Sequence, residues 1–502
     1  MPRNIRSRTL RFALVFFLSC LIVLGVSLFS PVRAQKTLKI ATEPTFPPFE
    51  MQGEGGELQG FDIEIMKAIG EAAGFNVQFQ SMPFDGIIPA LQSKTVDGAV
   101  SAMTINAERS KTVSFSRPYF KAGLAIATQA DNKNITSLEG LKNKKVAVQI
   151  GTTGAAEAKK IAGAQIRTFD SAPVALQELR NRNVDAVVHD APAILYAIKS
   201  NNLTGLRISD ELLTEEYYGI PTPKNSPNLE LINNGLTTIL DNGTYEKIYQ
   251  KWFNAKPPQL PATLQFDKST DPVKSSNVIL SALPNLLRGA LVTLQLTAFS
   301  VFLGMIGGSL IGIARISKLA PLRWLTRAYI DFFRGTPLLV QIFMIYFGLP
   351  ALLQGVGITF SLNRITAAVL ALSLNSAAYL AEIVRAGIQS IEKGQSEASE
   401  SLGLGATETM RYVIFPQALR RMLPPLGNEF ITLLKDTSLV AVIGFEELFR
   451  QGQLIVADNY RAFEIYAAVA VIYLILTVFS SRVFSYLERA MNPVNKPAKA
   501  KN

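Results

Sequence analysis

Long apolar stretches dominate the sequence from residue 289 onward. Residues 289–314 carry no charged side chain, and four further stretches of similar character follow, at 328–353, 365–391, 424–443 and 465–481. An α-helix satisfies its own backbone hydrogen bonds inside lipid, and about 20 apolar residues cross the hydrocarbon core. The sequence therefore predicts an all-α C-terminal half with five transmembrane helices.

Basic residues between these stretches predict the orientation of the helices. Lys and Arg are enriched in loops on the cytoplasmic side of a membrane. The loop 350–363 has no charge, whereas the two loops on the other side carry Arg315, Lys318, Arg323, Arg327, Lys393, Arg411, Arg420 and Arg421. We therefore predict a multi-pass protein of a bacterial inner membrane. Its N-terminal half is exported, and residues 397–420 and the C-terminus are cytoplasmic.

Two features inside the predicted spans concern helix packing and function. Gly304, Gly308 and Gly312 recur every four residues, a spacing that lets two membrane helices approach closely.

Glu382 and Arg385 lie three residues apart and can pair on one helix face. That pair is either a packing feature or part of a substrate path.

Residues 1–34 have the pattern of a secretory signal peptide. Basic residues within 1–11 precede the apolar run 12–29 and the sequence PVRA, as in a cleaved leader. An uncleaved anchor helix is the alternative, because the apolar run is long for a leader. Most of the net charge of +11 lies at the two chain ends, which indicates membrane topology signals, including a basic cytoplasmic tail at 491–502, and no nucleic-acid partner.

Residues 36–257 alternate between strand-like and helix-like segments. The segment FDIEIMKAIGEAAGF places Ile65 and Ile69 on one helix face. The strand-like segments are LKIAT, AVSAMTI, KVAVQI and DAVVHD. This alternation predicts an α/β fold with largely parallel sheets, followed by a linker at 258–284.

Polar side chains follow several of these strands and suit a zwitterion. Arg109 lies at a helix start after AVSAM, where its guanidinium can grip a carboxylate in a bidentate manner. Backbone amides of the IGTTG turn, with Thr152 and Thr153, can form an anion site. Asp190 ends a strand and can accept hydrogen bonds from an ammonium group. Each feature alone is also typical of an ordinary surface ion pair or strand–helix turn, and their shared position at strand ends favours a ligand site.

Metal and disulfide chemistry are disfavoured by composition. The sequence has one cysteine, Cys20, and one histidine, His189, which excludes an intramolecular disulfide and makes a Cys/His metal site very improbable. His189 has no partner arrangement for catalysis beyond its neighbour Asp190. We therefore predict no catalytic residues, no metal and no cofactor in this chain.

Residues 38–253 resemble the periplasmic polar amino-acid-binding proteins, which are type II two-lobed clamshells of the glutamine- and basic amino-acid-binding type. The matching stretches include TEPTFPPFE, LQGFDIEI, VAVQIGTTG and VDAVVHDAPAILYAIK. The resemblance implies that Arg109 binds an α-carboxylate with help from Thr104 and Thr153, and that Asp190 and Ser101 hold the α-ammonium. It further implies that Phe46 and Phe84 cover the ligand side chain, and that Glu43 and Gln149 lie at its far end.

Two departures leave the ligand open between glutamine and basic amino acids. Many relatives carry Asp at the position of Glu43, and Ser or Gly at the position of Ala102. The longer Glu43 changes the reach of the acid and favours Lys, Arg or His by charge. In contrast, the segment HDAPAILYAIK is closer to the glutamine-binding type.

Residues 285–490 resemble the permeases of polar amino-acid ABC importers of the His/Glu/Gln/Arg type. Their EAA loop is matched by Glu397, Ala398 and Gly403 and, further on, by Pro416. Ser399, Val413 and Phe415 are mild departures. This segment can form a short cytoplasmic helix ended by Gly403, with Leu402 free to dock and Pro416 turning the chain back to the membrane.

The sequence contains no G-x-x-x-x-G-K-[ST] phosphate loop. The resemblance therefore implies a separate ATPase subunit that binds ATP and Mg, and a permease homodimer surrounded by lipid. The expected function is a fused receptor and permease of an ATP-driven importer. A ligand-gated channel of the glutamate-receptor type is the alternative, but there the membrane segment interrupts the clamshell. A sensor would need a cytoplasmic output domain, for which the tail is too short.

Overall fold

The computed structural model describes residues 35–199, 203, 205–264, 278–358, 360 and 362–491 of the 502-residue chain. The predicted signal peptide lies outside the described residues, as do residues 265–277 of the predicted linker and all of the tail except residue 491.

The N-terminal half is an α/β domain. Its strands are β1 (Thr37–Thr42), β2 (Thr45–Phe46), β3 (Glu50–Gln52), β4 (Leu58–Gln59), β5 (Asn76–Ser81), β6 (Gly98–Ala99), β7 (Val113–Phe115), β8 (Phe120–Ala122), β9 (Leu124–Gln129), β10 (Lys145–Gln149), β11 (Gln165–Phe169), β12 (Ala186–Asp190), β13 (Leu206–Ile208), β14 (Glu216–Tyr218) and β15 (Pro221–Pro223). Its helices are α1 (Phe61–Ala73), α2 (Phe84–Gln92), α3 (Ala107–Thr112), α4 (Thr153–Ala158), α5 (Ala172–Arg180), α6 (Ala191–Lys199), α7 (Asn228–Asp241) and α8 (Thr244–Phe253), with a 3₁₀ turn at Glu139–Leu141.

Two sheets divide this domain into two lobes. Lobe 1 (residues 37–122 and 216–253) contains the parallel sheet β5-β1-β6, and lobe 2 (residues 124–215) contains the sheet β11-β10-β12-β9-β13. In lobe 2, β10 is parallel to β11 and β12, whereas β9 is antiparallel to both of its neighbours. The predicted α/β clamshell with largely parallel strands is confirmed.

Each lobe has an apolar core, and Ala172 and Ala193 of lobe 2 join the core of lobe 1. In lobe 1, Ile65 and Ile69 of α1 are fully buried against the sheet, which confirms the predicted helix face. The helix stops at Gly74, whose left-handed φ of 75° closes the C-terminus. In lobe 2, Ala147 and Val187 of neighbouring strands pack against α5 and α6.

The chain crosses between the lobes through a short antiparallel ladder. Strand β8 pairs with β14, with Ala122 opposite Glu216 and Phe120 opposite Tyr218. The next residue, Gly123, packs so closely that an added methyl group would lie 2.3 Å from the Thr214 carbonyl oxygen. We identify these paired segments as the hinge, because movement of one lobe against the other must pass through them.

The C-terminal half is helical, as predicted. Its α-helices are α9 (Val278–Arg315), α10 (Ala320–Gly335), α11 (Leu338–Phe343), α12 (Leu349–Gly355), α13 (Arg364–Gln389), α14 (Lys393–Ser401), α15 (Ala406–Glu408), α16 (Phe415–Asp436), α17 (Leu448–Asn459) and α18 (Ala462–Met491). Shorter π-helical and 3₁₀ turns occur at Met344–Gly348, Thr409–Ile414 and Thr437–Ile443.

Among the described residues, three helices are long and apolar enough to cross a membrane: α9, α13 and α18. Ala320–Gly335 and Leu338–Leu353 would form a fourth span if the two segments are taken as one. The angle between these two segments is 108°. The segment predicted as a span at 328–353 is therefore divided into two helices by a sharp bend. Pro337 lacks an amide hydrogen and disfavours helical geometry at Thr336, which is extended at φ −118° and ψ 148°.

The predicted span at 424–443 differs as well. Helix α16 begins earlier, at Phe415, contains Pro424 and Pro425, and passes into a 3₁₀ turn after Asp436. Its charged residues keep it outside the set of helices that qualify by length and apolarity. The count of five spans thus stays a prediction.

Glycines on one face of α9 let it pack tightly against α13. Methyl groups added to Gly304, Gly308 and Gly312 would lie 3.0 Å or less from atoms of α13. The predicted role of the four-residue glycine spacing in close helix packing is therefore confirmed. At the end of α13, Glu382 pairs with Arg385 at 2.7 Å, as predicted, and also with Arg315 of α9 at 3.3 Å.

We predict that Gly308→Ala destabilises the helical domain by about 1–3 kcal/mol through overpacking. The added methyl would lie 2.7 Å from the Leu380 Cβ and 2.8 Å from the Ala377 carbonyl oxygen. Gly307→Ala is the matched control, since its methyl would meet Ala377 Cβ at an ordinary 3.5 Å. Thermal unfolding in detergent measures both variants, and equal melting temperatures would contradict the packing argument.

Candidate ligand-binding site

The carboxyl ends of four strands from both lobes meet at one cleft. Glu43 follows β1, Ser101 follows β6 shortly after, Gln149 ends β10 and Asp190 ends β12. Carboxyl ends of strands are where open α/β sheets bind ligands. The fold therefore places these four polar side chains, from distant parts of the chain, in one location.

All eleven predicted ligand-binding residues line a single cavity between the lobes. Its lining consists of Glu43, Phe46, Phe84, Ser101, Ala102, Thr104, Arg109, Gln149, Thr152, Thr153, His189 and Asp190. The sequence analysis included every one of these residues except His189. The cavity measures about 10 Å³, room for about one water molecule, so a larger molecule could enter only if the lobes separated.

Arg109 is the one basic group lining this cavity, and its position is held by helix α3. Asn106 caps the helix, accepting a hydrogen bond from the Arg109 amide at 2.8 Å. The guanidinium donates to the Thr104 carbonyl at 2.7 Å and to the Gly151 carbonyl at 2.9 Å, and it lies 5.4 Å from the centre of the Phe84 ring. A guanidinium has five N–H donors, so Arg109 can bind an anion while keeping these contacts.

Glu216 is a site residue that the sequence analysis missed. One of its carboxylate oxygens accepts hydrogen bonds from the Thr104 hydroxyl at 2.6 Å and from the Thr153 hydroxyl at 2.9 Å. Burial, followed by the charge of Asp190, raises the pKa of Glu216. Glu216 lies on hinge strand β14 with no local motif around it, so only tertiary structure reveals its position beside Arg109.

Asp190 is buried beside two further groups. The Tyr218 hydroxyl donates to it at 2.5 Å, and His189 Nδ1 lies 3.3 Å from its other oxygen. Burial raises the pKa of Asp190 to about 6 and lowers the pKa of His189 to about 4. At neutral pH the aspartate is therefore ionised and the histidine neutral, which leaves an acceptor suited to a cation.

Glu43 and Gln149 join the two lobes at the opposite end of the cavity. The Gln149 side-chain amide donates to Glu43 Oε2 at 2.8 Å, and the Thr45 hydroxyl donates to Oε1 at 2.8 Å. Burial raises the pKa of Glu43 to about 7, and the nearby carboxylates of Asp85 and Asp170 act in the same direction. Glu43 therefore titrates near neutral pH.

Buried carboxyl groups of lobe 1 fix Ser101 and Ala102 from behind. The Ser101 hydroxyl donates to Glu50 at 2.8 Å and accepts from the Glu43 amide at 3.1 Å. The Ala102 amide donates to Asp62 at 2.8 Å. The hydroxyl proton of Ser101 is therefore used in the bond to Glu50. The hydroxyl oxygen can only accept a hydrogen bond from the cavity, which suits an ammonium group.

The remaining predicted residues form the walls of the cavity. Phe46 is buried and packs edge-on against His189 with ring centres 5.2 Å apart, and Phe84 begins helix α2. Thr152 caps helix α4 by accepting from the Ala155 amide at 3.2 Å. The two aromatic rings therefore line the cavity, and the segment IGTTG forms the predicted strand–turn–helix.

The segment matching the EAA loop forms a second candidate site. Glu397 and Ala398 lie in helix α14, which ends before Leu402, a residue with 83% of its surface exposed. Gly403 has a left-handed φ of 83°, and Pro416 lies in the first turn of α16. The short helix, its glycine end and its exposed leucine agree with the sequence analysis.

Comparison with known proteins assigns both halves of the chain. Residues 38–255 match the bacterial extracellular solute-binding proteins, family 3, and residues 304–493 match the binding-protein-dependent transport system inner membrane component family. A glutamine transport system permease protein of Escherichia coli (strain K12) is 46% identical over 228 residues, which are 45% of this chain and 99% of that protein. An arginine transport system permease protein of Bacillus subtilis (strain 168) is 38% identical over 209 residues, 42% of this chain and 93% of that protein.

Among solved structures, an ancestral arginine-binding protein bound to arginine is 48% identical, covers 44% of this chain and 99% of that chain, and has a TM-score of 0.43. The chain belongs to the binding-protein-dependent transport system inner membrane component family, with a solute-binding domain fused before it. It is thus a fused receptor and permease of the polar amino-acid importer class, and the resemblance seen in its motifs is confirmed. Its permease relatives are transport components, and the channel alternative is not favoured.

We predict that Glu43→Gln removes a pH-dependent loss of stability. A carboxyl group whose pKa is raised on folding destabilises the folded state as pH rises from its unfolded value, about 4.3, to about 7, by about 4 kcal/mol at most. Thermal unfolding of the full chain at pH 5 and pH 8 measures this effect. From pH 5 to pH 8 the wild type should lose more stability than Glu43→Gln. Glu71→Gln, which changes an exposed residue, should match the wild type. An identical pH dependence in all three proteins would contradict the prediction.

Proposed function

We propose that the cavity between the lobes binds a polar amino acid, either glutamine or a basic amino acid such as Arg, Lys or His. One observation carries this proposal: Arg109, Asp190 and Glu43 line the same small cavity. These groups are an anion-binding guanidinium and two carboxyls, which match the carboxylate, the ammonium and the polar side chain of one ligand.

The arrangement supports a definite ligand orientation. The α-carboxylate binds the guanidinium of Arg109 and the hydroxyls of Thr104 and Thr153. These two hydroxyls release Glu216 and donate to the ligand instead. The α-ammonium binds the carboxylate of Asp190 and the acceptor lone pair of Ser101. The ligand side chain then extends between Phe46 and Phe84, beside Ala102 and Thr152, towards the far end of the cavity.

The residues at that far end favour basic side chains and accept glutamine. Arg109 and Asp190 balance the charges of the zwitterion, so the carboxyl group of Glu43 remains for the ligand side chain. Above a pH of about 7 it is a carboxylate suited to a guanidinium or ammonium group. Gln149 supplies an amide that can pair with glutamine, and the permease relatives named for glutamine and arginine transport agree with this substrate range.

The permease half completes an ATP-driven importer with a separate subunit. We assign Glu397, Ala398, Gly403 and Pro416 to a cytoplasmic loop that contacts an ABC ATPase, which binds ATP and Mg. The exposed Leu402 and the sharp end at Gly403 give this loop a docking tip. Two copies of the chain enclose the path, and exposed apolar residues of α9 and α18, such as Phe302 and Phe479, face lipid or the second copy. The receptor faces the periplasm or the cell exterior.

We predict that Arg109→Ala weakens binding of L-arginine and L-glutamine about 30-fold or more, because losing one partner of a buried charged contact costs about 2 kcal/mol or more. Isothermal titration of the full chain in lipid nanodiscs measures the affinities. Lys111→Ala is the matched control, since Lys111 lies on the same helix but is exposed and pairs with Glu108. Unchanged affinities in Arg109→Ala would contradict the assignment of the carboxylate site.

We predict that Gly403→Pro leaves amino-acid binding intact and abolishes coupled uptake, because proline cannot adopt a φ of 83°. Uptake and ATP hydrolysis in proteoliposomes that contain the ATPase subunit measure the coupling. Gly394→Ala changes a glycine of the same loop with open space around it and should retain transport. Normal uptake by Gly403→Pro would refute the coupling role.

A further inference from the structure

Helix α17 of the permease half covers one side of the receptor cleft. A cavity of about 140 Å³ lies between Arg109 of lobe 1, Thr152 and Thr153 of lobe 2, and residues of α17 that include Asp458. It shares these three receptor residues with the ligand cavity. Tyr460, directly after α17, packs against the apolar core of lobe 1. The permease therefore contacts both lobes beside the site where the ligand binds.

Arg450 of α17 is a fully buried charge of this interface. Its side chain donates to the Thr168 carbonyl at 2.7 Å and forms an ion pair with Asp170 of lobe 2. A methyl group on Gly444 would lie 2.6 Å from the same Thr168 oxygen, so the permease backbone itself sits against the end of β11. A buried guanidinium is strongly destabilising without its partners, and here these are Thr168 and Asp170 of the receptor together with the Gln453 side chain of α17 at 3.1 Å.

A short series of contacts leads from Arg450 to the far end of the ligand cavity. The Gln149 side-chain amide donates to the Asp170 carbonyl at 3.3 Å and to Glu43 at 2.8 Å. Asp170 therefore touches the permease through its carboxylate and the ligand site through its carbonyl. No other residue intervenes between this contact and the Glu43–Gln149 pair that meets the ligand side chain.

The charges around Glu43 are arranged so that Arg450 opposes them. Besides burial, the carboxylates of Asp85 and Asp170 raise the pKa of Glu43. Burial and the charge of Asp170 raise the pKa of Asp85, and Arg450 acts in the opposite direction. Arg450 also pairs directly with Asp170. The permease thus contributes one positive charge next to three acids, Glu43, Asp85 and Asp170. The site is partly buried, so these charges are weakly screened.

We propose that Arg450 couples receptor docking to substrate affinity: by neutralising Asp170 it weakens the binding of basic side chains at Glu43, and it leaves the binding of neutral side chains nearly unchanged. This inference rests on the amino-acid-binding function proposed above. The coupling is reciprocal, so a bound basic amino acid also weakens the Arg450 contact. Docking then promotes transfer of basic amino acids from the receptor into the permease.

Opposite changes in two variants test this proposal. Four full-length proteins are compared in nanodiscs: the wild type, Arg450→Gln, Arg450→Lys and Asp170→Asn. Each is titrated with L-arginine and with L-glutamine. Arg450→Gln should bind arginine about fivefold more tightly, the lower end of typical coupling between sites, and Asp170→Asn should bind it about fivefold more weakly. Glutamine affinity should change less than about twofold in both, and Arg450→Lys should resemble the wild type.

The double variant and a rim variant serve as controls. Arg450→Gln combined with Asp170→Asn removes both charges and should return the arginine-to-glutamine affinity ratio to near the wild-type value. Asp458→Asn removes an exposed ion pair with Lys159, 2.6 Å long, that also crosses the interface, and it should alter neither affinity. Asp170 is 39% exposed, and an asparagine at this position keeps an oxygen that can accept a hydrogen bond from Arg450. Asp170→Asn therefore keeps the test decisive if Arg450→Gln fails to fold.

Two outcomes would overturn the proposal in distinguishable ways. Equal shifts for arginine and glutamine, or shifts in the same direction for Arg450→Gln and Asp170→Asn, would show a purely structural docking contact and overturn this inference alone. Failure of the wild type to bind either amino acid would overturn the proposed substrate class, and this inference with it.

Discussion

The hydrogen bond from Gln149 to Glu43 is the contact on which the arrangement of the receptor depends. Each side chain stands at the carboxyl end of a strand, in a different lobe, and both are buried. The bond joins the lobes at the end of the cavity where the proposed ligand side chain would lie. In the proposed function, closure and recognition are therefore one physical event, because the atoms that join the lobes would also contact the ligand.

Charge at this closure point links the receptor to the permease. Glu43, Asp85 and Asp170 are acids that share a poorly hydrated region, and burial raises the pKa of Glu43 to about 7. Arg450 offsets this negative charge through Asp170, and in the proposed function a basic ligand side chain would offset it from the other side of Gln149. In a fused chain the receptor stays close to its own permease, so even a modest coupling of this kind acts continuously.

Packing in the membrane half follows from different physics. Lipid is as apolar as leucine, so helices associate by close contact of small residues, as the glycines of α9 do against α13. The same domain departs from straight spans where Pro337 bends the chain and where charged residues interrupt α16. Helix α16 contacts the exposed segment before Gly403 through Gln417, whose side-chain amide donates to Gln395 at 3.0 Å, so a movement of that segment reaches α16 directly.

The sequence alone determined the two-part organisation, the α/β character of the receptor, the glycine face of α9 and eleven of the twelve residues lining the ligand cavity. These are set by local periodicity, by residues at strand ends and by recognisable motifs. Only the tertiary structure decided the role of Glu216 beside Thr104 and Thr153, and the insertion of Arg450 against Asp170. Those contacts join residues 63 to 280 positions apart, and no local pattern encodes which distant side chains a fold brings together.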